Sequence, residues 1–379
     1  MKKTRLIIIG GFLGAGKTTC VLTIARYLMN NHKKIGIVTN DQGSQLVDTN
    51  YLRSEGLSVL EVTGGCFCCN FDEFVKRAES LAEDEAPDVI LAEPVGSCTD
   101  LVATLYKPLQ ARQAFQFELC PLCIVADPRR VRKLMLEQEK GVPPGEINYL
   151  FQKQLEEADM ILLNKADTLD RAEEELLISF LSKSFTDAVA IPASANSLHS
   201  IGSLVPILVG FRPPDKGTLE IDYGIYGRAE EKLGWLNSGA LLGSSQKTEW
   251  NTFLAEFLEK VRSRMKPLSG EMAHLKVYAV SGGDYAKASL TDMEGEISFN
   301  RRMAAPSQSV SLIVNARIEV EPAQLAPAVE GSLRSLCSKW GVKLDTLQTE
   351  CFKPGWPTPK YRMTGESVES QDRFITPGQ

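Results

Sequence analysis

The octet Gly11-Phe12-Leu13-Gly14-Ala15-Gly16-Lys17-Thr18 constrains this chain more than any other stretch, because it stands directly behind the apolar run Leu6-Ile7-Ile8-Ile9. It follows the pattern G-x-x-x-x-G-K-[ST], in which small residues let backbone N–H groups turn inward around a phosphate chain. Lys17 reaches the β and γ phosphates as a point charge, and the Thr18 hydroxyl is placed to ligate Mg²⁺. Gly14, Ala15, Gly16, Lys17, Thr18 and Thr19 are therefore the expected phosphate-binding residues. Residues 21–28 read as the following helix, its positive end toward the phosphates. Lys2, Lys3 and Arg5 before an apolar run would also suit a signal peptide, but Gly14-Ala15-Gly16-Lys17 interrupts the apolar core and no small-residue cleavage site follows.

The next buried strand, 35–39, ends in Asn40-Asp41-Gln42-Gly43. A carboxylate there can hold Mg²⁺ or orient the attacking water, so Asp41 is a candidate for both roles, against the plainer reading of a polar turn. Residues 88–92 form a further buried strand, followed by Glu93-Pro94-Val95-Gly96. Glu93 is positioned to bind Mg²⁺ directly or through water, and the Gly96 amide to sense the γ-phosphate, which would make this loop a switch. Lys17, Asp41 and Glu93 are the expected catalytic groups.

Between these strands lies Gly64-Gly65-Cys66-Phe67-Cys68-Cys69. If extended, the segment projects Cys66 and Cys68 to one side, with Cys69 pointing away unless the chain turns. Thiolates suit Zn²⁺, Cu⁺ or Co²⁺ in a tetrahedral site. A cluster of small buried hydrophobes and a redox dithiol are the competing readings. A second pair, Cys120 and Cys123, opens the strand 124–126 and reads as core or loop cysteines, because the two positions face opposite ways.

The strand 160–163 runs into Asn164-Lys165-Ala166-Asp167. An Asp at such a strand end can accept from the N1–H and N2–H₂ of guanine, which adenine cannot supply; the Asn ties loops together and the Lys stem lies over the ring. Losing buried partners of this kind rejects ATP. With Ala193-Ser194-Ala195 after the strand 188–191, the Ala195 amide would face guanine O6, and GTP becomes the expected nucleotide.

Taken together these motifs resemble the CobW-type family of P-loop GTPases, metallochaperone-like relatives of the nickel-insertion GTPases HypB and UreG, over roughly residues 4–210. The resemblance implies a P-loop NTPase fold with a doubly wound, mostly parallel sheet, GTP hydrolysis, and a transition metal, Zn²⁺ or Co²⁺, at Cys66, Cys68 and Cys69 coupled to the nucleotide. It also implies a client: a metalloprotein or a corrinoid-dependent enzyme. The chain departs from the family in carrying Asp41 where Glu is common and Pro94-Val95 where hydroxyl residues follow the second-switch Glu; Pro94 removes a backbone donor. The rival readings are a GTP-dependent assembly chaperone with structural cysteines and a P-loop metabolite kinase.

Domain boundaries are expected at 1–210 for the GTPase domain, 211–217 for a linker, 218–353 for a smaller α+β domain and 354–379 for a disordered tail. Two helical stripes, Trp250 to Met265 and Leu325 to Trp340, alternate with strands in a pattern that suggests β-α-β-β-α-β, a ferredoxin-like unit. A net charge of −6, with 24% charged residues, gives no clustered cations for nucleic acid or an anionic membrane. No apolar run approaches the roughly twenty residues that span a bilayer, and nine cysteines of this kind fit a reducing compartment. The expectation is a cytoplasmic protein, with a homodimer as a further expectation.

Overall fold

The computed structural model describes residues 3–40, 47–112, 117–210, 216–268 and 270–364, with the backbone of 367–370. It divides into two compact units, one of Met1–Gln42, Gly56–Gly227 and Pro357–Gln379, the other of Gly43–Glu55 and Arg228–Trp356. In chain order the elements up to Glu93 are β1 (Thr4–Gly10), α1 (Lys17–Asn30), β2 (Ile35–Asn40), α2 (Val47–Ser54), β3 (Val59–Val62), α3 (Phe71–Glu85) and β4 (Val89–Glu93). A π-helical turn at Val102–Tyr106 leads to α4 (Lys107–Ala111), β5 (Phe117–Leu119), β6 (Cys123–Ala126), α5 (Pro128–Glu139) and α6 (Glu146–Glu157). The half closes with β7 (Met160–Leu163), α7 (Arg171–Ser184), β8 (Val189–Pro192), α8 (Leu198–Gly210) and α9 (Tyr223–Glu231).

The strands of the first unit form one sheet in the order β3-β2-β4-β1-β6-β7-β8, with β5 also on β1. Every pairing in it is parallel. Leu6, Ile7, Ile8 and Ile9 are fully buried, as a strand covered on both faces by helices requires. The doubly wound parallel sheet expected from the sequence is thus present. It places the carboxyl ends of β1, β2, β4 and β7 along one edge, where open α/β sheets bind ligands.

The second unit continues with β9 (Gly234–Thr248), α10 (Trp250–Met265), β10 (Met272–Ser281), β11 (Asp284–Leu290), β12 (Ser298–Arg301), β13 (Ser307–Ile318), α11 (Pro322–Trp340) and β14 (Lys343–Phe352). Its antiparallel sheet has the order β12-β11-β10-β13-β9-β14. Without the β11–β12 hairpin, the order is β14-β9-β13-β10, the 4-1-3-2 arrangement of a β-α-β-β-α-β unit. Both helical stripes pack on it: Phe253, Leu254, Phe257 and Leu258 from α10, with Leu325, Val329 and Leu333 from α11, share a core with Leu275, Val277 and Leu312. Cys337 lies in that core, and Cys351, on β14, faces the Pro322 carbonyl.

Two boundaries differ from the expectation. Segment 43–55 clusters with the second unit, because α2 is anchored there: the Val47 amide donates to Asn315 Oδ1 at 2.9 Å, Asp48 pairs with Lys276 and Lys287, and Glu55 accepts from the Tyr285 hydroxyl. Beyond Pro354 the chain, expected as a disordered tail, is ordered through Thr364. There β15 (Tyr361–Thr364) pairs with β16 (Ser367–Ser370). Tyr361 packs edge-on against Phe71 with ring centroids 5.2 Å apart, and Arg362 Nε donates to Asp100 Oδ2 at 2.7 Å. The polar, proline-rich composition hid these anchors. Residues 211–215 of the expected linker lie outside the described residues. Among the described residues no helix is long and apolar enough to cross a membrane.

Candidate functional site

Beyond β1, the chain enters the loop whose glycines were expected to admit phosphate. Gly16 opens α1 at φ 97°, and a Cβ on it would lie 2.4 Å from Asn164 Nδ2, so side chains are excluded by strain and by contact. α1 begins without a side-chain cap and without an acidic residue in its first turn, so the field at its N-terminus favours an anion. Lys17 is buried with its ammonium 3.5 Å from the Phe12 carbonyl, and the Thr18 hydroxyl donates to Glu93 Oε1 at 2.9 Å across from β4. Thr19 is half-buried in the first turn.

The guanine-type motif is stitched to this loop by its own side chains. Asn164 Nδ2 donates to the Ala15 carbonyl at 2.8 Å, and Asn164 Oδ1 accepts from the Ala195 amide at 2.8 Å. The Thr23 hydroxyl reaches the Ala195 carbonyl at 2.6 Å. Lys165 donates to the Gly14 carbonyl at 3.2 Å and pairs with Asp127 at 2.6 Å. Burial pushes the Asp127 carboxyl up, but the Lys165 ammonium more than offsets this and holds it below the usual range. Asp167 is exposed on a short 3₁₀ turn, and Ser194 is buried with its amide on Ser200 Oγ at 3.0 Å. Gly14, Ala15, Asn164, Lys165 and Ala195 are therefore brought together, with Asp167 beside them in the same turn. Asp127, which positions Lys165, was not legible in the sequence.

Thr18 and Glu93 offer a buried hydroxyl and a buried carboxylate bonded to each other, hard oxygen donors of the kind Mg²⁺ takes. Asp41, the third expected member, lies outside the described residues.

The thiol box follows β3 and turns. The Asn70 amide donates to the Cys66 carbonyl at 2.8 Å, so Cys69 swings back instead of pointing away. Cys66 Sγ stands 2.8 Å from Cys68 Sγ and 2.9 Å from Cys69 Sγ, and all three ligand atoms lie within 4.8 Å of one another. Hydrogen bonds from Cys68, Cys69 and Cys98 hold the Cys66 thiol well below its ordinary range. The bond to Cys66 pushes Cys68 well above that range and Cys69 up to about 12. Three sulfurs gathered this closely are a donor set of the kind soft and borderline divalent metals take.

Two strand ends hold the box. Asn40, the last residue of β2, donates to the carbonyls of Val62 at 2.9 Å and Gly65 at 2.7 Å and accepts from the Phe67 amide at 2.9 Å. On the other side the C-terminal segment closes over it: the Lys360 amide donates to the Cys68 carbonyl at 2.9 Å, and the Thr358 amide donates to the Cys69 sulfur. Gly96 lies against the phosphate loop so closely that a Cβ would meet the Leu13 backbone nitrogen at 2.8 Å. Gln154 on α6 fixes this second-switch loop, its Nε2 donating to the carbonyls of Gly96 at 3.0 Å and Cys98 at 2.8 Å. Asn40, Gln154 and the 357–364 segment carry no motif and were missed. The pair Cys120 and Cys123 is buried apart from the box, and burial pushes each thiol up to about 12, as for the core cysteines expected.

The CobW/HypB/UreG nucleotide-binding domain matches residues 5–188. Over 181 residues the chain is 33% identical to the zinc chaperone YeiR of Escherichia coli K12, covering 46% of this chain and 50% of that protein. Over 184 residues it is 32% identical to the zinc chaperone CobW of a Sinorhizobium species, covering 43% of this chain and 51% of that one. The chain thus spans about half the length of these curated relatives. Among solved structures, HypB from Helicobacter pylori in complex with nickel is similar at 17% identity and a TM-score of 0.38, over 55% of this chain and 87% of that one.

Proposed function

We propose, on the match of residues 5–188 to the CobW/HypB/UreG nucleotide-binding domain, that this chain is a GTP-hydrolysing metallochaperone. It takes Zn²⁺ or Co²⁺ as cargo at Cys66, Cys68 and Cys69 and releases it to a client metalloprotein or corrinoid-dependent enzyme. The observation that carries this reading is the placement of the three-thiol cluster. Asn40 suspends it from the end of β2, in the same unit as the phosphate loop. In this reading the backbone of Gly14 to Thr19 and the Lys17 ammonium surround the phosphates, and Asn164, Lys165, Asp167, Ser194 and Ala195 frame guanine. Thr18 and Glu93 would hold Mg²⁺, which supplies charge neutralisation at the β and γ phosphates. Asp41 is assigned to orient the attacking water, with the Gly96 loop answering the γ-phosphate.

A ligand that binds two states equally shifts neither, so coupling requires metal affinity to differ between nucleotide states. Titrating Zn²⁺ against a competing chelator, with the chain bound to GDP or to a non-hydrolysable GTP analogue, is expected to give affinities that differ by roughly fivefold or more. Equal affinities would remove the coupling.

A further inference from the structure

Beside the cluster of Cys66, Cys68 and Cys69 lies a further thiol from outside the cysteine box. Cys98 follows β4 by five residues and Gly96 by two, is only 2% exposed, and its side chain hydrogen-bonds to those of both Cys66 and Cys68. Its backbone is fixed rather than passing by chance: the Cys98 carbonyl and the Gly96 carbonyl share the Gln154 amide, and the Cys98 amide donates to the Val95 carbonyl at 3.0 Å. Two residues on, Asp100 is held at φ 67°, uncommon for a residue with a side chain, with Tyr223 and Arg362 on its carboxylate. The loop is thus tied down on both sides of a buried thiol that bonds to two of the three, Cys66 and Cys68. Three sulfurs cannot close a tetrahedral site around a borderline-soft divalent cation, whereas four thiolates do so with no position left over.

We propose that Cys98 is the fourth thiolate ligand of the cluster, so that Zn²⁺ or Co²⁺ is held as a closed Cys₄ site whose last ligand belongs to the second-switch loop. This rests on reading Cys66, Cys68 and Cys69 as the metal site. With Cys98 seated, the ion is sequestered. With Cys98 withdrawn, three thiolates remain and one coordination position opens to a ligand of the client, the difference that separates storage sites from exchanging ones. Gly96 touches the phosphate loop at Leu13, and Glu93 on the preceding strand holds Thr18. A displacement of this loop therefore moves a metal ligand directly, with no intervening element. A tetrahedral ion with metal–sulfur bonds of about 2.3 Å sets its sulfurs about 3.8 Å apart, so the thiols at 2.8 and 2.9 Å must spread on loading. Two separate chain segments can open in this way more readily than one tight turn.

The test is an anaerobic titration of the full chain with Co²⁺ alone, reading the sulfur-to-cobalt charge-transfer band per bound ion. Wild type, Cys98→Ser and the triple variant Cys66→Ser/Cys68→Ser/Cys69→Ser are compared, each with GDP and with a GTP analogue. Cys98→Ser is expected to bind one Co²⁺ with the band reduced by about a quarter, as four thiolates become three. Its affinity should fall at least about tenfold, and the affinity difference between nucleotide states should disappear. A wild-type band and affinity in Cys98→Ser overturn the proposal while the three-cysteine site stands. Failure of wild-type protein to bind Co²⁺, or undiminished binding by the triple variant, overturns the metal-site reading itself. Should Cys98→Ser not fold, X-ray absorption of the Zn²⁺-loaded wild type decides: four sulfur neighbours support the assignment, and three sulfurs with a lighter atom overturn it.

Discussion

The phosphate loop and the thiol box lie at the same edge of one sheet but are built on different terms. The loop is laid down by contiguous residues, Gly11 to Thr18, and two of its glycines, Gly11 and Gly16, are fixed by what a Cβ would strike, Val125 and Asn164. The box supplies only its sulfurs locally. Its shape comes from Asn40 on β2, from Cys98 after β4 and from Thr358 and Lys360 more than 280 residues away. The cluster therefore depends on each of the segments that reach it. Under the proposed function, dependence of that sort is what would let nucleotide state be felt at the sulfurs.

The sharpest way to break this contrast is to damage the cradle alone. In Gly16→Ala the added carbon meets Asn164 Nδ2 at 2.4 Å on a residue whose φ of 97° already resists a side chain. The strain of about 2–3 kcal/mol corresponds to roughly 30- to 140-fold weaker binding of a fluorescent GTP analogue. Co²⁺ binding by the nucleotide-free protein should remain at one ion with unchanged affinity. If metal binding collapsed with nucleotide binding, the two regions would be a single construction and the contrast would fail.

The reverse experiment removes the hook and leaves every sulfur in place. Asn40→Ala deletes three hydrogen bonds to the Val62, Gly65 and Phe67 backbone. Metal affinity is expected to fall about tenfold, the usual consequence of freeing a group that orients ligands. GDP affinity measured on the same preparation should stay within a factor of about two. Unchanged metal affinity would mean that the turn at Cys66 to Asn70 holds its own geometry.

These differences explain what could be read from the sequence. The parallel sheet was legible because its strands are continuous apolar runs, and the cradle and the Asn164 to Asp167 turn because their chemistry is fixed by short spacings. Glu93 was reachable as an acid at a strand end. Cys98 carried a faint signal, a further cysteine two residues past the expected switch glycine, but nothing local said which way it would face. Gln154, Asp127, Tyr223 and Arg362 carried none, because each acts on a loop distant in sequence. The ordered segment after Pro354 was masked by its composition, since one aromatic edge contact and one buried ion pair suffice to seat it. The assignment of 43–55 to the second unit depends on Asp48 finding two lysines on β10 and β11, a pairing no periodicity encodes.

That pairing gives the smallest expected effect and a control for the other two. Burial pushes the Asp48 carboxyl up, but the ammonium groups of Lys276 and Lys287 more than offset it and hold it well below the usual aspartate range. A carboxylate depressed on folding contributes stability that is complete above its unfolded value of about 3.9 and is lost as the pH falls through the lower folded value. With its side chain 26% exposed, the group should contribute about 1–2 kcal/mol at neutral pH. All four tryptophans, Trp235, Trp250, Trp340 and Trp356, belong to the second unit, so their fluorescence follows its urea unfolding without interference from the first. Asp48→Asn is expected to lower the urea midpoint at pH 7 and to flatten the loss of stability as the pH falls below about 4. An unchanged acid limb would assign the pH dependence to other carboxylates. Because α2 continues the chain that leaves β2 just after Asn40, the variant also asks whether its anchoring reaches the thiols. A Co²⁺ affinity within about twofold of wild type would confine control of the box to Asn40, Cys98 and the C-terminal segment.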